Sequence, residues 1–230
     1  IKQIILFYTT LTFLFSIISF FTLSPDAVQS DSKDKMNLTH LKELLKDQNL
    51  WLISFIIICA YCGYKALDNY GLYVNQVLGM SELESSKFVT YISYSRVVVA
   101  IIIGFLADRV NTSKVLSILF ALSIAIFFII PTLSSSLIPM ILVNLFITVI
   151  AIYGLRAIYF ALIQESNIKN EYTGTAVGII SVVGYTPDIF FASITGRILD
   201  SAEPEIAFQR YFVLLGIISI IGVVSSFKIL

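Results

Sequence analysis

The stretch VVVAIIIGFLADRVNTSKVLSILFALSIAIFFII, residues 97–130, decides the fold class. Two apolar runs flank a short polar hairpin, DRVNTSK at 108–114. Roughly 20 apolar residues in a helix cross the ~30 Å of bilayer hydrocarbon, and each run extends outward to about that length. The same reading applied along the chain gives seven candidate spans: 4–24, 50–77, 86–107, 115–133, 137–163, 172–199 and 207–227. The composition agrees. With 57% apolar and 13% charged residues and a mean hydropathy of +0.90, a soluble chain of this size would have no adequate polar surface. The expectation is an all-α, polytopic membrane helix bundle.

The charges inside the spans follow an alternation. Away from the span ends, where Lys87, Arg197 and Arg210 lie, segments two, three, five and six carry them as Lys65 and Asp68, Arg96, Arg156, and Asp188, while segments one, four and seven carry none. A charge at mid-membrane costs at least a few kcal/mol, so it persists where it faces a bundle interior or a water-filled cavity. Four helices are therefore expected to line something polar and three to face lipid. At 1.5 Å per residue, Asp68 falls about 27 Å from the start of its span, Arg96 about 15 Å from the nearer end of its own, and Asp188 about 24 Å along a helix bent by Pro187.

Connections are short except for residues 25–49. The first part of that linker, DAVQSDSKDKMN, is polar and turn-rich. In the second part Leu38, Leu41, Leu44, Leu45 and Trp51 recur at helical spacing among Lys42, Glu43, Lys46 and Asp47, as in an amphipathic helix lying in the headgroup layer. If the linker is cytoplasmic, that side holds eight Lys and Arg against four on the other, which favours a cytoplasmic C-terminus. Both Asn-x-Ser/Thr sites, Asn37 and Asn111, then fall on the cytoplasmic side and read as coincidence. The formal net charge of zero gives no reason to expect a nucleic-acid partner. The one histidine, His40, sits in the linker, and Cys59 and Cys62 lie inside a span where packing explains them, so no metal site, cofactor or enzymatic activity is expected. The chain opens at Ile1 directly into an apolar run, which reads as a fragment.

The loop after segment three reads Gly104-Phe-Leu-Ala-Asp108-Arg109-Val-Asn-Thr-Ser-Lys114. It resembles the G-x-x-x-D-R-x-G-R-R-like loop that joins the second and third helices of each half in the major facilitator superfamily. Asn111 and Thr112 stand where that pattern has Gly and Arg. The resemblance implies that the seven spans correspond to family helices six to twelve. Residues 1–24 would then be the last helix of an N-terminal half, 25–49 the interdomain linker, and 50–230 a six-helix transport domain of two three-helix repeats. It also implies that Gly104, Asp108 and Arg109 form a gating loop, with Gly104 letting helices approach and the carboxylate meeting a helix N-terminus. In the family the uncharged segments one, four and seven lie outside the cavity, which matches the alternation. The runs after Arg156 and through Gly184-Tyr-Thr-Pro-Asp188 resemble helices ten and eleven of bacterial members, among them anion and sugar-acid porters.

The residues suggest roles within that frame. Lys65 and Asp68, three apart, can pair on one helix face; alternatively Lys65 attracts an anion while Asp68, near Tyr64, offers hydrogen bonds. Arg156 keeps its charge and grips carboxylates through a fixed fork, so it needs Asp188, Asp68 or a substrate anion. Three buried cations against two anions leave one positive charge over. The expected cavity residues are Lys65, Asp68, Arg96, Arg156, Asp188, Tyr64 and Tyr153, with Asp188, then Asp68, as proton-coupling candidates. Gly174 and Gly178 would form a small-residue packing face, and Gly184 with Pro187 a helix kink. The expected function is secondary active transport of a small polar solute, an organic anion, by alternating access with proton symport. The expected partners are that solute, protons, the lipid bilayer and a missing N-terminal half, and the expected location is the plasma (inner) membrane. The alternative is a non-transporting seven-helix receptor or sensor, in which the buried charges form an internal network or hold a ligand.

Overall fold

The computed structural model describes residues 2–22, 38–134, 136–166, 168 and 172–229. Among these, seven helical stretches are long and apolar enough to cross a membrane, and the protein is a polytopic membrane helix bundle. The linker's first part, with Lys33, Lys35 and Asn37, lies outside the described residues, as does Lys169.

Residues 1–41 and 42–230 form two separate compact units. The first contains α1 (Lys2–Thr22). Its described residues are exposed all round, and Thr9, Thr10, Thr12 and Thr22 each donate their hydroxyl to the carbonyl four residues back at 2.8–2.9 Å. That arrangement satisfies hydroxyls on a helix with no water beside it.

The second part of the linker is helical, as α2 (Leu38–Lys46). Its apolar stripe divides: Leu44 is buried in the bundle, while Leu45 and Trp51 stay exposed, with the Trp51 indole N–H donating to the Leu45 carbonyl at 2.7 Å. Asp47 then caps α3 (Gln48–Ala66) by accepting from the Asn49 amide at 2.8 Å. Segment two does not continue as one regular helix. It passes through a 3₁₀ turn at Leu67–Asn69 into α4 (Tyr70–Gln76).

Segment three is α5 (Glu82–Arg109), opened by a capping box in which Ser81 and Glu84 bond reciprocally. Segment four is α6 (Thr112–Ile129) with Asn111 as its cap. Segment five comprises α7 (Ile138–Ile158), a 3₁₀ turn at Tyr159–Ala161 and α8 (Leu162–Glu165). Segment six is α9 (Thr173–Gly184) and α10 (Pro187–Leu199), separated by a turn at Tyr185 and Thr186. Segment seven is α11 (Pro204–Phe227). The expected interruption at Gly184 and Pro187 is thus present as a break.

Segments two to seven pack in a pattern with internal symmetry. Two packs on six and three on five; two packs on seven and four on five; three meets four and six meets seven; two also meets five, and four meets seven most extensively. Exchanging two with five, three with six and four with seven maps each contact onto itself or onto another of the set, as two three-helix repeats require. One further contact, α4 against α5, has no counterpart of similar extent among the described residues. Segments four and seven approach through glycine: a Cβ on Gly222 would lie 2.5 Å from the Phe120 ring, and one on Gly216 would lie 2.7 Å from the Phe128 ring. Ser117 and Ser226 share a hydrogen bond of 2.7 Å in the same interface.

Among the described residues, three glycines expected to mediate packing, Gly104, Gly174 and Gly178, each have open space where a Cβ would point. The close approach near Gly104 belongs instead to Gly154, whose Cβ position is 3.2 Å from Ile103 and 3.0 Å from Leu119. Small-residue spacing marks a face without saying which neighbour uses it.

Candidate functional site

Helical spacing puts Tyr61, Tyr64, Lys65 and Asp68 on one face of segment two, and the 3₁₀ turn begins two residues after Lys65. That turn frees backbone groups inside the bundle, where they need partners. The Ala66 carbonyl accepts from the hydroxyl of Tyr211 at 2.9 Å, and Asn69 donates its amide to the same hydroxyl at 3.1 Å. A fully buried tyrosine on segment seven therefore holds the break open on segment two.

Lys65 pairs twice. Its Nζ is 3.0 Å from Asp68 Oδ2, within the segment, and 3.6 Å from Asp188 Oδ1, across to segment six. Asp188 lies in the first turn of α10, where the helix N-terminus favours a negative charge. Its other oxygen accepts from the Tyr61 hydroxyl at 2.9 Å. Both carboxylates among the expected cavity residues thus converge on one lysine. The carboxylate side chains are half-exposed or more, 65% for Asp68 and 51% for Asp188, so each pair contributes at most about 1 kcal/mol.

The two arginines are arranged differently from Lys65, and of the partners expected for Arg156 neither Asp188 nor Asp68 pairs with it. Among the described residues neither Arg156 nor Arg96 forms an ion pair. The Arg156 guanidinium carbon lies 3.9 Å from the centre of the Tyr64 ring and 5.5 Å from that of Tyr61. Arg96 lies 5.0 Å from the Tyr153 ring and 5.8 Å from Tyr64. Cation–π contact contributes about 0.5–2 kcal/mol according to burial. Among the described residues, Arg156 Nη1 is buried with no hydrogen-bond partner. A buried donor in that state costs about 1–3 kcal/mol.

The tyrosines form a continuous aromatic wall. Tyr61 stacks on Tyr64 with centroids 5.7 Å apart and meets Tyr185 at 4.8 Å. Tyr64 continues to Tyr153 at 6.4 Å. The hydroxyls of Tyr159 and Tyr185 lie 3.2 Å apart. Segments two, three, five and six all contribute, as the charge alternation predicts. Segments four and seven pack on each other and bring no charged side chain to this cluster. Tyr61, Tyr159 and Tyr185 were not among the expected site residues; for Tyr61 the signal was its place four and seven residues before Lys65 and Asp68.

At the loop between segments three and four, Asp108 and Arg109 are exposed, and Arg109 lies 4.2 Å over the Phe105 ring. The carboxylate that meets a helix N-terminus is Glu165, from the end of segment five. It accepts from the Thr112 amide at 2.6 Å and from the Ser113 amide and hydroxyl at 3.1 Å each. It thereby satisfies two of the four amides a helix leaves unpaired.

A family model described as "Major Facilitator Superfamily" matches residues 2–192. The chain is 26% identical over 238 residues to "Inner membrane protein YihN" of Escherichia coli (strain K12), covering 98% of this chain and 56% of that one. It is 23% identical over 228 residues to "Inner membrane protein YqcE" of the same organism, covering 93% and 53%. The chain therefore spans about half the length of the curated relatives it matches.

Proposed function

The chain belongs to the major facilitator superfamily, and on that premise we propose that it forms one half of a secondary transporter moving a small organic anion by alternating access. The observation that carries the reading is the split among the site's charges. Both carboxylates converge on Lys65, while Arg96 and Arg156 are left on aromatic faces. Both guanidinium groups address the Tyr64 ring, which puts them within about 10 Å of each other. An anion placed there would satisfy Arg156 Nη1 and receive the charge-assisted, two-pronged bonding that guanidinium supplies. The tyrosine hydroxyls and ring faces would order the remainder of a polar solute.

The other half of the pathway would come from the upstream half of the protein. The exposed sides of segments three and six, the least buried spans of the bundle after α1, are where it would sit. Inward rocking of the two halves would be driven by proton symport, with Asp188 as the carrier and Asp68 as the second candidate. Both relatives are named as inner membrane proteins, and the same location is proposed for this chain, with its C-terminus in the cytoplasm. Asp108, Arg109 and Gly104 would gate the cycle in the family manner. The receptor alternative, in which the buried charges form an internal network or hold a ligand, has no support from the family match, which points to a membrane transporter.

The test uses the full-length protein in proteoliposomes, following exchange of labelled organic anions. Arg156→Lys keeps the charge and loses the planar fork, and Arg156→Gln loses both. Affinity should fall in that order, by at least roughly ten-fold for Gln. Exchange of neutral solutes but not anions, or anion affinity unchanged in Arg156→Gln, would refute the anion assignment. A complete lack of exchange by well-folded protein would refute transport itself.

A further inference from the structure

We propose that the cleft between α4 and the first turns of α5 binds a hard metal cation, alkali or alkaline-earth, that shares Asp68 with Lys65. The cleft has a volume of about 590 Å³, and its polar lining consists of Asp68, Asn75, Glu82, Ser85 and Ser86. Every polar group available there offers oxygen. Asn75 has committed its amide nitrogen to the Met80 carbonyl at 2.7 Å, which leaves its own carbonyl oxygen as the free end. The lining contains no imidazole and no thiol, so the donor set suits a hard cation and not zinc or copper.

Ser85 supplies the independent observation. It is 5% exposed, it lines the cleft, and among the described residues its hydroxyl has no hydrogen-bond partner. Buried serines elsewhere in the bundle, Ser54, Ser117, Ser123 and Ser219, donate to the carbonyl four residues back at 2.8–2.9 Å. Ser85 does not, although the Ser81 carbonyl is in place and accepts its backbone amide at 2.9 Å. A hydroxyl left over in this way, in the wall of the cleft, is available as a ligand. The volume exceeds that of a bare ion, so the cation keeps part of its water shell, as hard cations do when one or two carboxylates hold them.

The cleft adjoins the arginine and tyrosine cluster through Asp68. A cation there competes with Lys65 for Asp68, and the remaining partner of Lys65 is Asp188, 3.6 Å away on segment six. Cation occupancy is thereby transmitted to the break in segment six. Only this coupling role rests on the transport reading; binding does not.

The test is the melting temperature of the full-length protein in detergent, titrated with sodium, potassium, magnesium or calcium chloride against choline chloride at matched ionic strength. At least one metal ion should raise it saturably where choline does not. Glu82→Gln and Ser85→Ala should each raise the half-saturating concentration by at least roughly ten-fold. Their melting in choline alone registers whether they fold; if Ser85→Ala does not, Glu82→Gln on the exposed side decides. Identical titrations in wild type and variants, an equal saturable response to choline, or no saturable response would overturn the site. Anion exchange measured in parallel keeps the two readings apart, since exchange that persists without a cation response removes this site and leaves the transport reading standing.

Discussion

A single methyl group added at Gly184 tests how segment six sits on segment two. The Cβ of Gly184→Ala would stand 2.5 Å from Ile57 Cγ2 and 3.1 Å from Ile57 Cβ, where carbon atoms prefer about 3.5–4.0 Å. A rotamer change cannot clear the second contact, because the Ile57 Cβ is fixed to the backbone and β-branching stiffens what lies beyond it. Ile57 is also fully buried, so α9 must shift. Overpacking of this kind costs about 1–3 kcal/mol. The helical preference of Ala over Gly, about 1 kcal/mol in a helix interior, offsets little at Gly184, the last residue of α9. A net loss of about 1–2 kcal/mol follows. Ile57→Ala alone should cost about 2–5 kcal/mol by leaving a cavity. The double variant should be more stable than the two losses added together, with a coupling of about 0.5–3 kcal/mol. Thermal or denaturant unfolding in one detergent measures all four proteins. A Gly184→Ala protein that melts with wild type, or strictly additive losses, would refute the contact.

Two further outcomes are expected. Glu165→Gln keeps the shape but loses the charge at the N-terminus of α6, and should lower stability by about 0.5–2 kcal/mol, whereas Asp108→Asn, on an exposed side chain, should leave the melting temperature unchanged. Asp188→Asn should abolish uphill anion uptake driven by a pH gradient in proteoliposomes and spare anion exchange; accumulation that survives would remove Asp188 as the carrier.

The spans and their polar lining could be read from composition because hydropathy and charge placement are local properties, and a bilayer penalises each misplaced charge separately. The Lys65–Asp68 pair and the interruption at Gly184 and Pro187 were readable for the same reason: spacing and backbone chemistry sufficed. The break at Leu67–Asn69 was not. It contains neither Pro nor Gly, and it depends on Tyr211, 145 positions away, satisfying the Ala66 carbonyl. The aromatic faces under the arginines were not legible, because the sequence reading weighed anions as their partners, whereas the rings of Tyr64 and Tyr153 provide another. Glu165 was missed for a similar reason. Its role is to cap a helix that begins 53 residues earlier, and only the packing of segment five on segment four reveals it.

The two bonds of Lys65 differ in what can change them. The bond to Asp68 spans three residues of one chain segment, so it survives any motion that carries segment two as a body. The bond to Asp188 crosses to α10, just beyond the turn at Tyr185 and Thr186. Bending at that turn moves α10 against α9 while Gly184, packed on Ile57, holds α9 to segment two. The Lys65–Asp188 distance, already the longer at 3.6 Å, is therefore the one that a bend in segment six alters. The Tyr61 hydroxyl on the same carboxylate is altered with it. Compensation of the Asp188 charge thus depends on the shape of segment six, while that of Asp68 does not. On the transport proposal, this asymmetry favours Asp188 over Asp68 as the carrier, because a carboxylate whose partners would leave on bending could exchange them for a proton in step with the proposed cycle.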